Sequence, residues 1–545
     1  MPRIIVLDTI AEEGLTLLKN APGIQFEVRT GLKDVAKLRE ALNEFDGAIL
    51  RSGVKITAEA LEGNKRLKAI VRAGVGTDNI DTVAAKRLGI VVMNTPAGNT
   101  ISTAEHAIAL MLALSRNVAP AYQSLIEGKW DRNKYMGTQL AGKTIGVVGL
   151  GRIGLTVAAR ARAMEMRVLG YDPFLTKERA TQLGIELYAT VPEMLPHCDY
   201  LTVHTPLTPE TKGLVGKKEL ALLKKGVRLV NCARGGIYDE EALVEGLKSG
   251  QIAGVALDVF ATEPCTQHPL FGMPGVLCTP HLGASTEEAQ TQVAVEGCQL
   301  LTDYLSTGAI RCAVNMSTID PAKLDAVRGY LNLGYRLGLM LAQMAEKPAK
   351  ACKLTYRGEV AGQETKLITS AFAAGLLEHA MDNQANIVNA DILLKERGIE
   401  LLEQTRTDMG AFSSVIVAEL TTDDQTHKVA ATVFGHGMAR LVQLGDFRLE
   451  SYLDGIMLVF KHKDVPGIIG KVGTVFGKHG VNIAQMTVGR EEPGGEAVGI
   501  LNLDNRPSAE ALQEVADNPA IISVKVIELP AAGYLPAWLL GSSAG

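Results

Sequence analysis

The run Thr144 to Gly154, TIGVVGLGRIG, leaves this chain few folds to choose from. A short β-branched stretch, Ile145 to Val148, breaks into Gly149, Gly151 and Gly154, and an alanine-rich stretch with helical spacing, Leu155 to Met166, follows. This is G-x-G-x-x-G between a strand and a helix, the context in which the pattern holds a dinucleotide. Gly149 permits the tight turn, Gly151 lets backbone approach a pyrophosphate, and Gly154 lets helix and strand pack closely. The unpaired N–H groups at the helix start face the anion. The next strand, Met166 to Tyr171, ends at Asp172, about twenty residues past the first glycine, where a ribose-binding acid belongs. A carboxylate there accepts from a 2′-hydroxyl and repels a 2′-phosphate. Pro173 and Phe174 follow with no arginine, so NAD is expected rather than NADP.

With 545 residues the chain is long enough for three or four domains. Hydrophobic residues at 47% and charged ones at 21% suit a globular protein. A formal charge of −5 gives no general affinity for nucleic acid or for an anionic membrane. Seven cysteines without a C-x-x-C pair argue against a disulfide framework or a metal site. The opening MPRIIVLDTIAEEG runs straight into a strand and an acidic helix start, unlike a secretory signal. Ala107 to Leu114, the most apolar run, is too short to span a bilayer. A cytoplasmic location is expected.

Before the glycine turn, strand-like runs alternate with helical ones: Arg3 to Leu7, Gly47 to Leu50, Ala69 to Val71 and Ile90 to Met93. That alternation implies a parallel open sheet, whose ligands sit beyond the carboxyl ends of its strands. Two of those ends carry arginines beside small residues, Arg51-Ser52-Gly53 and Arg72-Ala73-Gly74-Val75-Gly76, which suits a carboxylate or phosphate. Ser102 or Thr103 is expected to cap the helix holding Ala104 to Leu114, whose apolar run calls for burial in a core or a subunit interface. After Asp172 the rhythm resumes, and strand ends lead to His204-Thr205-Pro206, to Asn231-Cys232-Ala233-Arg234-Gly235-Gly236, to Asp258, and to Thr279-Pro280-His281.

Arg234, Asp258 and His281 therefore fall just past strand ends, where a nicotinamide would lie. Oxidising a hydroxylated carbon needs a base, a cation for the substrate's acid group, and a group that orients the base. His281 fits the first because imidazole titrates near neutrality. Arg234 fits the second through its planar fork. Glu263, in Ala261-Thr262-Glu263-Pro264, suits the third by accepting from the other imidazole nitrogen. Taken singly, a histidine after a proline turn or a glutamate in a loop is as well explained as structural or solvated. Whether Glu263 and His281 touch is a question for the structure.

Taken together, Gly149 to Gly154 with Asp172, NCARGG with Arg234, ALDVF with Glu263-Pro264, and Thr279-Pro280-His281 resemble the D-2-hydroxyacid dehydrogenases. RSG at Arg51, RAGVGTDNID at Arg72 to Asp81, NTPAGNT at Asn94 to Thr100 and KWDRNKYMG at Lys129 to Gly137 are similar to the branch of that family that acts on 3-phosphoglycerate. The resemblance implies NAD-dependent oxidation of 3-phospho-D-glycerate to 3-phosphohydroxypyruvate, the entry to serine biosynthesis. It places the catalytic roles on Arg234, Glu263 and His281. Cofactor contacts fall on Val75 (through backbone), Arg152, Ile153, Asp172, Thr205, Cys232, Ala233, Arg234, Asp258, His281, Gly283 and Ala284, beside the three glycines. Substrate contacts fall on Arg51, Ser52, Arg72 and Asn99, and Arg132 resembles a residue that reaches into a partner subunit's site. A homodimer or homotetramer follows. Two rivals stand beside this reading: a relative acting on another D-2-hydroxy acid such as glycerate, and a non-catalytic NAD(H)-sensing scaffold.

From about Ser317 the pattern changes to an α+β one without a catalytic constellation. It resembles the intervening, or allosteric substrate-binding, domain of long-form members; Gly435-His436-Gly437 and Arg440 read better as a structural turn than as an anion site. Gly455 to Leu529 follows a βαββαβ order and resembles an ACT domain, a small-molecule regulatory module. In this family such modules bind L-serine between paired copies, at positions that match His462, Asp464 and Asn482. Asp464 is equally suited to capping its helix. The expected architecture is thus two doubly wound α/β domains, a flavodoxin-like substrate domain and a Rossmann NAD domain, with an α+β domain and a ferredoxin-like module behind them. The expected boundaries are 1–97 with 286–316 (substrate), 98–285 (NAD), 317–452 (intervening), 453–529 (regulatory) and 530–545 (tail).

Overall fold

The computed structural model describes residues 1–316, 324–378, 385–408, 410–435, 437–534 and 536. The expected boundary at 317 and His436 lie outside the described residues.

Five parallel strands form the first sheet, in the order Gln25–Val28, Arg3–Val6, Gly47–Leu50, Ala69–Arg72, Val91–Asn94. That 2-1-3-4-5 order is flavodoxin-like. Its strands are four-residue runs buried on both faces, which is why they read as continuous apolar stretches rather than alternating ones. Gln25–Val28, half-exposed at the edge, carries no such signal and escapes the sequence reading.

The second sheet has seven parallel strands, in the order Val276–Cys278, Ile252–Leu257, Val227–Asn231, Tyr200–Val203, Thr144–Val148, Arg167–Tyr171, Glu186–Leu187. Thr144–Val148 lies beside Tyr200–Val203, so the order reverses at the glycine turn, where doubly wound sheets bind their ligands.

Two helices carry the chain between these lobes. Thr100–Ser115 runs out and Glu287–Thr307 runs back, packing on Glu12–Asn20. The outgoing helix starts earlier than expected. Asn99 is its N-cap and makes no side-chain cap bond, so Ser102 and Thr103 are helical residues and not caps. Ser102 instead meets Thr286 at 3.0 Å, and Thr103 donates to the Gly283 carbonyl at 3.1 Å. Its apolar run is buried as expected, with Ala104, Ala107, Ile108 and Met111 in the core.

Behind these lobes stands a six-stranded mixed sheet: Glu400–Arg406, Ala351–Gly358, Ser414–Thr421, Thr426–Phe434, Met438–Leu444, Phe447–Tyr452. Ser414–Thr421 and Thr426–Phe434 form a hairpin around Asp423-Asp424, Thr421 pairing with Thr426. The helices Leu324–Met344 and Thr365–Leu377 pack together on this sheet. Arg440 is buried with its guanidinium 4.0 Å from the Tyr452 ring centre and 5.8 Å from that of Phe434, a packing role.

The last unit is a four-stranded antiparallel sheet, Ile483–Arg490, Glu496–Leu503, Ile456–Lys463, Ile521–Glu528, with helices Ile468–Lys478 and Ala509–Ala516. Leu458, Phe460, Val472 and Phe476 form its own core, whereas Met457, Val459, Ile500 and Ile527 join the core of the unit before it. One buried cation fastens the two. Arg336, 1% exposed, donates to the carbonyls of Leu453, Pro530, Ala531 and Tyr534 at 2.6–3.1 Å.

Candidate functional site

At the glycine turn the steric reasons for each residue are visible. Gly149 adopts φ +87°, and a Cβ there would lie 2.7 Å from the His204 carbonyl oxygen. A Cβ on Gly154 would lie 1.9 Å from the Gly149 carbonyl oxygen, so helix and turn touch backbone to backbone. A Cβ on Gly151 would meet nothing within 4 Å. Gly151 is the N-cap of Arg152–Ala163 and makes no side-chain cap bond, which leaves the first-turn N–H groups and an open cradle for an anion. Thr205 Oγ1 is buried nearby without a partner in the chain. This cradle fits a dinucleotide's pyrophosphate.

Asp172 follows the Arg167–Tyr171 strand directly. It accepts from the Leu150 N–H at 2.7 Å and the Phe174 N–H at 2.8 Å, and so ties the glycine turn to the position of the ribose. Burial pushes the Cys232 thiol far above its ordinary range, so it lines the crevice without acting as a nucleophile. Asn231, which sequence reasoning passed over, shapes the next turn. Its Oδ1 accepts from the Ala233 N–H at 2.9 Å and its Nδ2 donates to the Arg234 carbonyl at 2.8 Å.

The second turn brings His281 and Glu263 together. His281 Nδ1 lies 2.6 Å from Glu263 Oε2, and Glu263 Oε1 accepts from the Phe260 N–H at 3.0 Å. Burial raises the Glu263 carboxyl, but the His281 and Phe260 hydrogen bonds, with Arg234 adding its charge, bring it below the ordinary carboxylate range. A carboxylate held ionised there fixes the imidazole's proton on Nδ1 and leaves Nε2 as the working atom. The backbone at His281 sits at φ +57°, held by its N–H to the Asp258 carbonyl at 2.9 Å.

Asp258 behaves differently from the cofactor contact expected of it. Its side chain is fully buried, and both oxygens are engaged within the chain. Oδ1 accepts from Thr279 Oγ1 at 2.6 Å and the Leu282 N–H at 2.7 Å, and Oδ2 accepts from the Gly283 N–H at 2.8 Å. His106, from the Thr100–Ser115 helix, adds a contact at 3.2 Å. Asp258 thus braces the turn on either side of His281. Sequence reasoning missed His106 and gave Thr103 only a capping role, although their i, i+3 spacing puts them on one helix face. His106, Cys232 and Asp258 are the one group of potential metal ligands among the described residues. Both Asp258 oxygens are already engaged by hydrogen bonds within the chain.

The first lobe supplies cations to the same crevice. Arg234 Nε donates to Asp78 Oδ2 at 2.9 Å across the lobes, and its Nη1 donates to the Ala233 carbonyl at 2.6 Å. Burial, and then the neighbouring Arg234, push the Arg72 guanidinium down to about 10. Arg72 Nε and Asn99 Oδ1 are buried without a partner in the chain. Arg51 lies further out, its backbone N–H on Asp8 at 2.7 Å and its Nη1 on the Thr9 carbonyl at 3.3 Å, next to exposed Ser52. Val75 is fixed from behind by Asn94, which donates to its carbonyl. Ile153 and Ala284 flank the crevice turns, the Ala284 carbonyl accepting from Gln290 at 2.6 Å. Arg132 is exposed on the short helix Arg132–Tyr135.

In the last unit the expected effector residues are engaged with their own neighbours. Asp464 is not a helix cap: the helix begins at Ile468 with Gly467 as N-cap. Asp464 Oδ2 accepts from Arg490 at 2.7 Å and from the Gly494 N–H at 3.1 Å. Asn482 donates to Asp504 at 2.6 Å. His462 stacks on Phe460, donates from Nδ1 to the Lys463 carbonyl at 2.8 Å, and keeps a buried, unpartnered Nε2.

Three family models match in order: the NAD binding domain of D-isomer specific 2-hydroxyacid dehydrogenases over residues 108–283, the D-3-phosphoglycerate dehydrogenase intervening domain over 326–445, and the ACT domain over 456–520. The chain is 40% identical over 530 residues to the D-3-phosphoglycerate dehydrogenase of Bacillus subtilis, covering 97% of this chain and all of the relative. It is equally similar, with the same coverage, to the enzyme of that name from Archaeoglobus fulgidus. Among solved structures, a glyoxylate reductase from Paecilomyes thermophila aligns with 57% of this chain and 98% of its own, at TM-score 0.53 and 28% identity.

Proposed function

The chain belongs to the D-3-phosphoglycerate dehydrogenases, a branch of the D-2-hydroxyacid dehydrogenases, and from that premise we propose how its residues carry the reaction. The enzyme oxidises 3-phospho-D-glycerate to 3-phosphohydroxypyruvate with NAD, the first step of the phosphorylated route to L-serine. One observation carries the assignment of roles. The His281–Glu263 pair at 2.6 Å lies in one crevice with Arg234, which Asp78 links to the first lobe and whose charge acts on both Glu263 and Arg72.

His281 takes the substrate's hydroxyl proton on Nε2 while Glu263 holds Nδ1–H and stabilises the imidazolium that results. Arg234 holds the substrate carboxylate through its fork. Arg51, Ser52, Arg72 and Asn99 receive the substrate's phosphate and carboxylate, joined by Arg132 from a partner subunit. Bound NAD+ would supply the hydride acceptor; Gly149, Gly151, Gly154, Arg152 and Ile153 would hold its pyrophosphate, Asp172 its ribose, and Val75, Thr205, Cys232, Ala233, Gly283 and Ala284 would line the remainder. The phosphate is what separates this reading from a glycerate enzyme: two guanidiniums brought close together suit a substrate with two anionic groups.

The division proposed is 1–97 with 286–316, 98–285, 317–452, 453–529 and 530–545, with the substrate domain split around the NAD domain. A homodimer or homotetramer is supported by exposed Tyr122, Leu125, Ile126, Trp130 and Met136 around Arg132. L-serine acts through the ACT module at His462, Asp464 and Asn482. No helix among the described residues is long and apolar enough to cross a membrane. All seven cysteines are free, which suits the cytoplasm.

The test is NADH formation from 3-phosphoglycerate, with D-glycerate as control. Arg234→Ala and His281→Ala each lower kcat/KM by about 10²- to 10⁴-fold while NADH affinity stays near that of the parent. Near-normal turnover in either variant refutes the assignment of roles.

A further inference from the structure

Asp78, quoted in the sequence only as part of RAGVGTDNID and given no role there, is bonded directly to Arg234. It lies in the loop that follows the Ala69–Arg72 strand of the first lobe. This loop is shaped around two guanidiniums. A Cβ on Gly74 would lie 1.6 Å from Arg72 Nη1, and a Cβ on Gly76 would lie 1.6 Å from Arg234 Nη2. The missing side chains are the room in which both arginines sit. Past the second glycine, Asp78 accepts from Arg234 Nε at 2.9 Å, although 156 residues separate them in sequence.

The geometry of that bond matters more than its energy. The Asp78 side chain is 65% exposed, and an exposed ion pair contributes little to stability. A guanidinium, however, is a rigid planar fork. Fixing Nε fixes the plane, and the Ala233 carbonyl on Nη1 at 2.6 Å fixes it a second time. The Nη2 side is left over Gly76. Asp78 also lowers the cost of holding Arg234 beside Arg72, since its charge acts on Arg72 against both Arg234 and Arg51. A carboxylate beside a site for an anion weakens the field that draws the substrate in. Orienting the fork, and joining the lobes at the crevice floor, offsets that loss.

We infer that Asp78 is a positioning residue, a strut from the substrate lobe that holds Arg234 of the nucleotide lobe in the orientation that receives the substrate carboxylate. This rests on the assignment of Arg234 to that carboxylate. The opposing account makes Asp78 a competitor that occupies Arg234 until substrate displaces it. The two accounts differ in sign.

The experiment compares Asp78→Ala, Asp78→Asn and Arg234→Ala in the full chain, by steady-state kinetics with 3-phosphoglycerate and by NADH titration. Asp78→Ala should lower kcat/KM by roughly 10- to 100-fold, through a raised KM and a lowered kcat, without weakening NADH binding. Asp78→Asn keeps an acceptor oxygen in place and should recover most of that loss. A lower KM in Asp78→Ala overturns the strut in favour of the competitor. Unchanged constants in Asp78→Ala, alongside a collapse in Arg234→Ala, overturn it while leaving the assignment of Arg234 intact. If Arg234→Ala itself stays active, the fault lies in that assignment.

Discussion

His281 and His462 each donate one ring N–H to an oxygen of the chain, at 2.6 Å and 2.8 Å, yet they end in opposite situations. His281 stands past a strand end on a turn at φ +57°, and 48% of its side chain is exposed. His462 lies within the strand Ile456–Lys463, is 1% exposed, and buries its second nitrogen without a partner. The difference separates two kinds of site. In the crevice, backbone turns beyond parallel strands present side chains ready for use. In the C-terminal module, Asp464 and Asn482 are tied to Arg490 and Asp504, and the imidazole is shut in. A ligand bound through those same atoms would have to break these contacts, which would couple its binding to a change of shape. A catalytic site needs preorganisation; a regulatory one needs something to rearrange.

If the crevice is complete without the module, loosening the module should cost stability and leave chemistry alone. Arg336 is the place to try it. Arg336→Ala strands the four carbonyls it serves, at a cost of about 1–3 kcal/mol for each one left unsatisfied. Urea unfolding should show an early transition for the C-terminal unit, while kcat stays near that of the parent. A proportionate loss of kcat would mean that the crevice depends on the module after all.

A third histidine sharpens the comparison from the catalytic side. His204 follows the strand Tyr200–Val203, with its carbonyl against Gly149, its Nε2 beside Thr202 Oγ1 at 3.1 Å and its Nδ1 buried without a partner, and burial pushes it down to about 4. Its folded value lies below the unfolded 6.5, so as pH falls the unfolded chain takes up the proton first. Stability should therefore drop between about pH 6.5 and 4, by up to about 3 kcal/mol. His204→Asn should be less stable at neutral pH but lose this part of the acid sensitivity. Urea midpoints of both proteins at neutral and mildly acid pH measure it, and parallel losses would remove His204 as the cause.

How much of this was legible follows the same division. Buried parallel strands are unbroken apolar runs that end in polar turns, so the strand tips bearing Arg234, Asp258 and His281 could be read directly. The pairings among them could not. Asp78 with Arg234 and His106 with Asp258 join residues far apart in sequence, and no periodicity records that. In the six-stranded sheet, Glu400–Arg406 is an exposed edge with Leu402 facing out, and it gives no alternation to find. Met438–Leu444 and Phe447–Tyr452 were passed over as well, their pairing broken by a register shift. Asp464 looked like a cap because it precedes Pro466-Gly467, but Gly467 takes that place with φ +86°.

The smallest expected effect is also the one that separates the two sites most cleanly. L-serine carries an ammonium and a carboxylate, and the module offers an acid at Asp464, an amide at Asn482 and the buried Nε2 of His462. Asp464→Ala, Asn482→Ala and His462→Phe should each raise the concentration of L-serine needed for half-inhibition by about tenfold, equivalent to about 1.4 kcal/mol. None of them touches the crevice, so kcat without serine should stay as it was. Phenylalanine fills the space beside Phe460 and removes only the ring nitrogens, which keeps the His462 result from being an unfolding artefact. Inhibition curves for all three variants that overlay the parent's would place the effector elsewhere, and His462 would then be a core residue like any other.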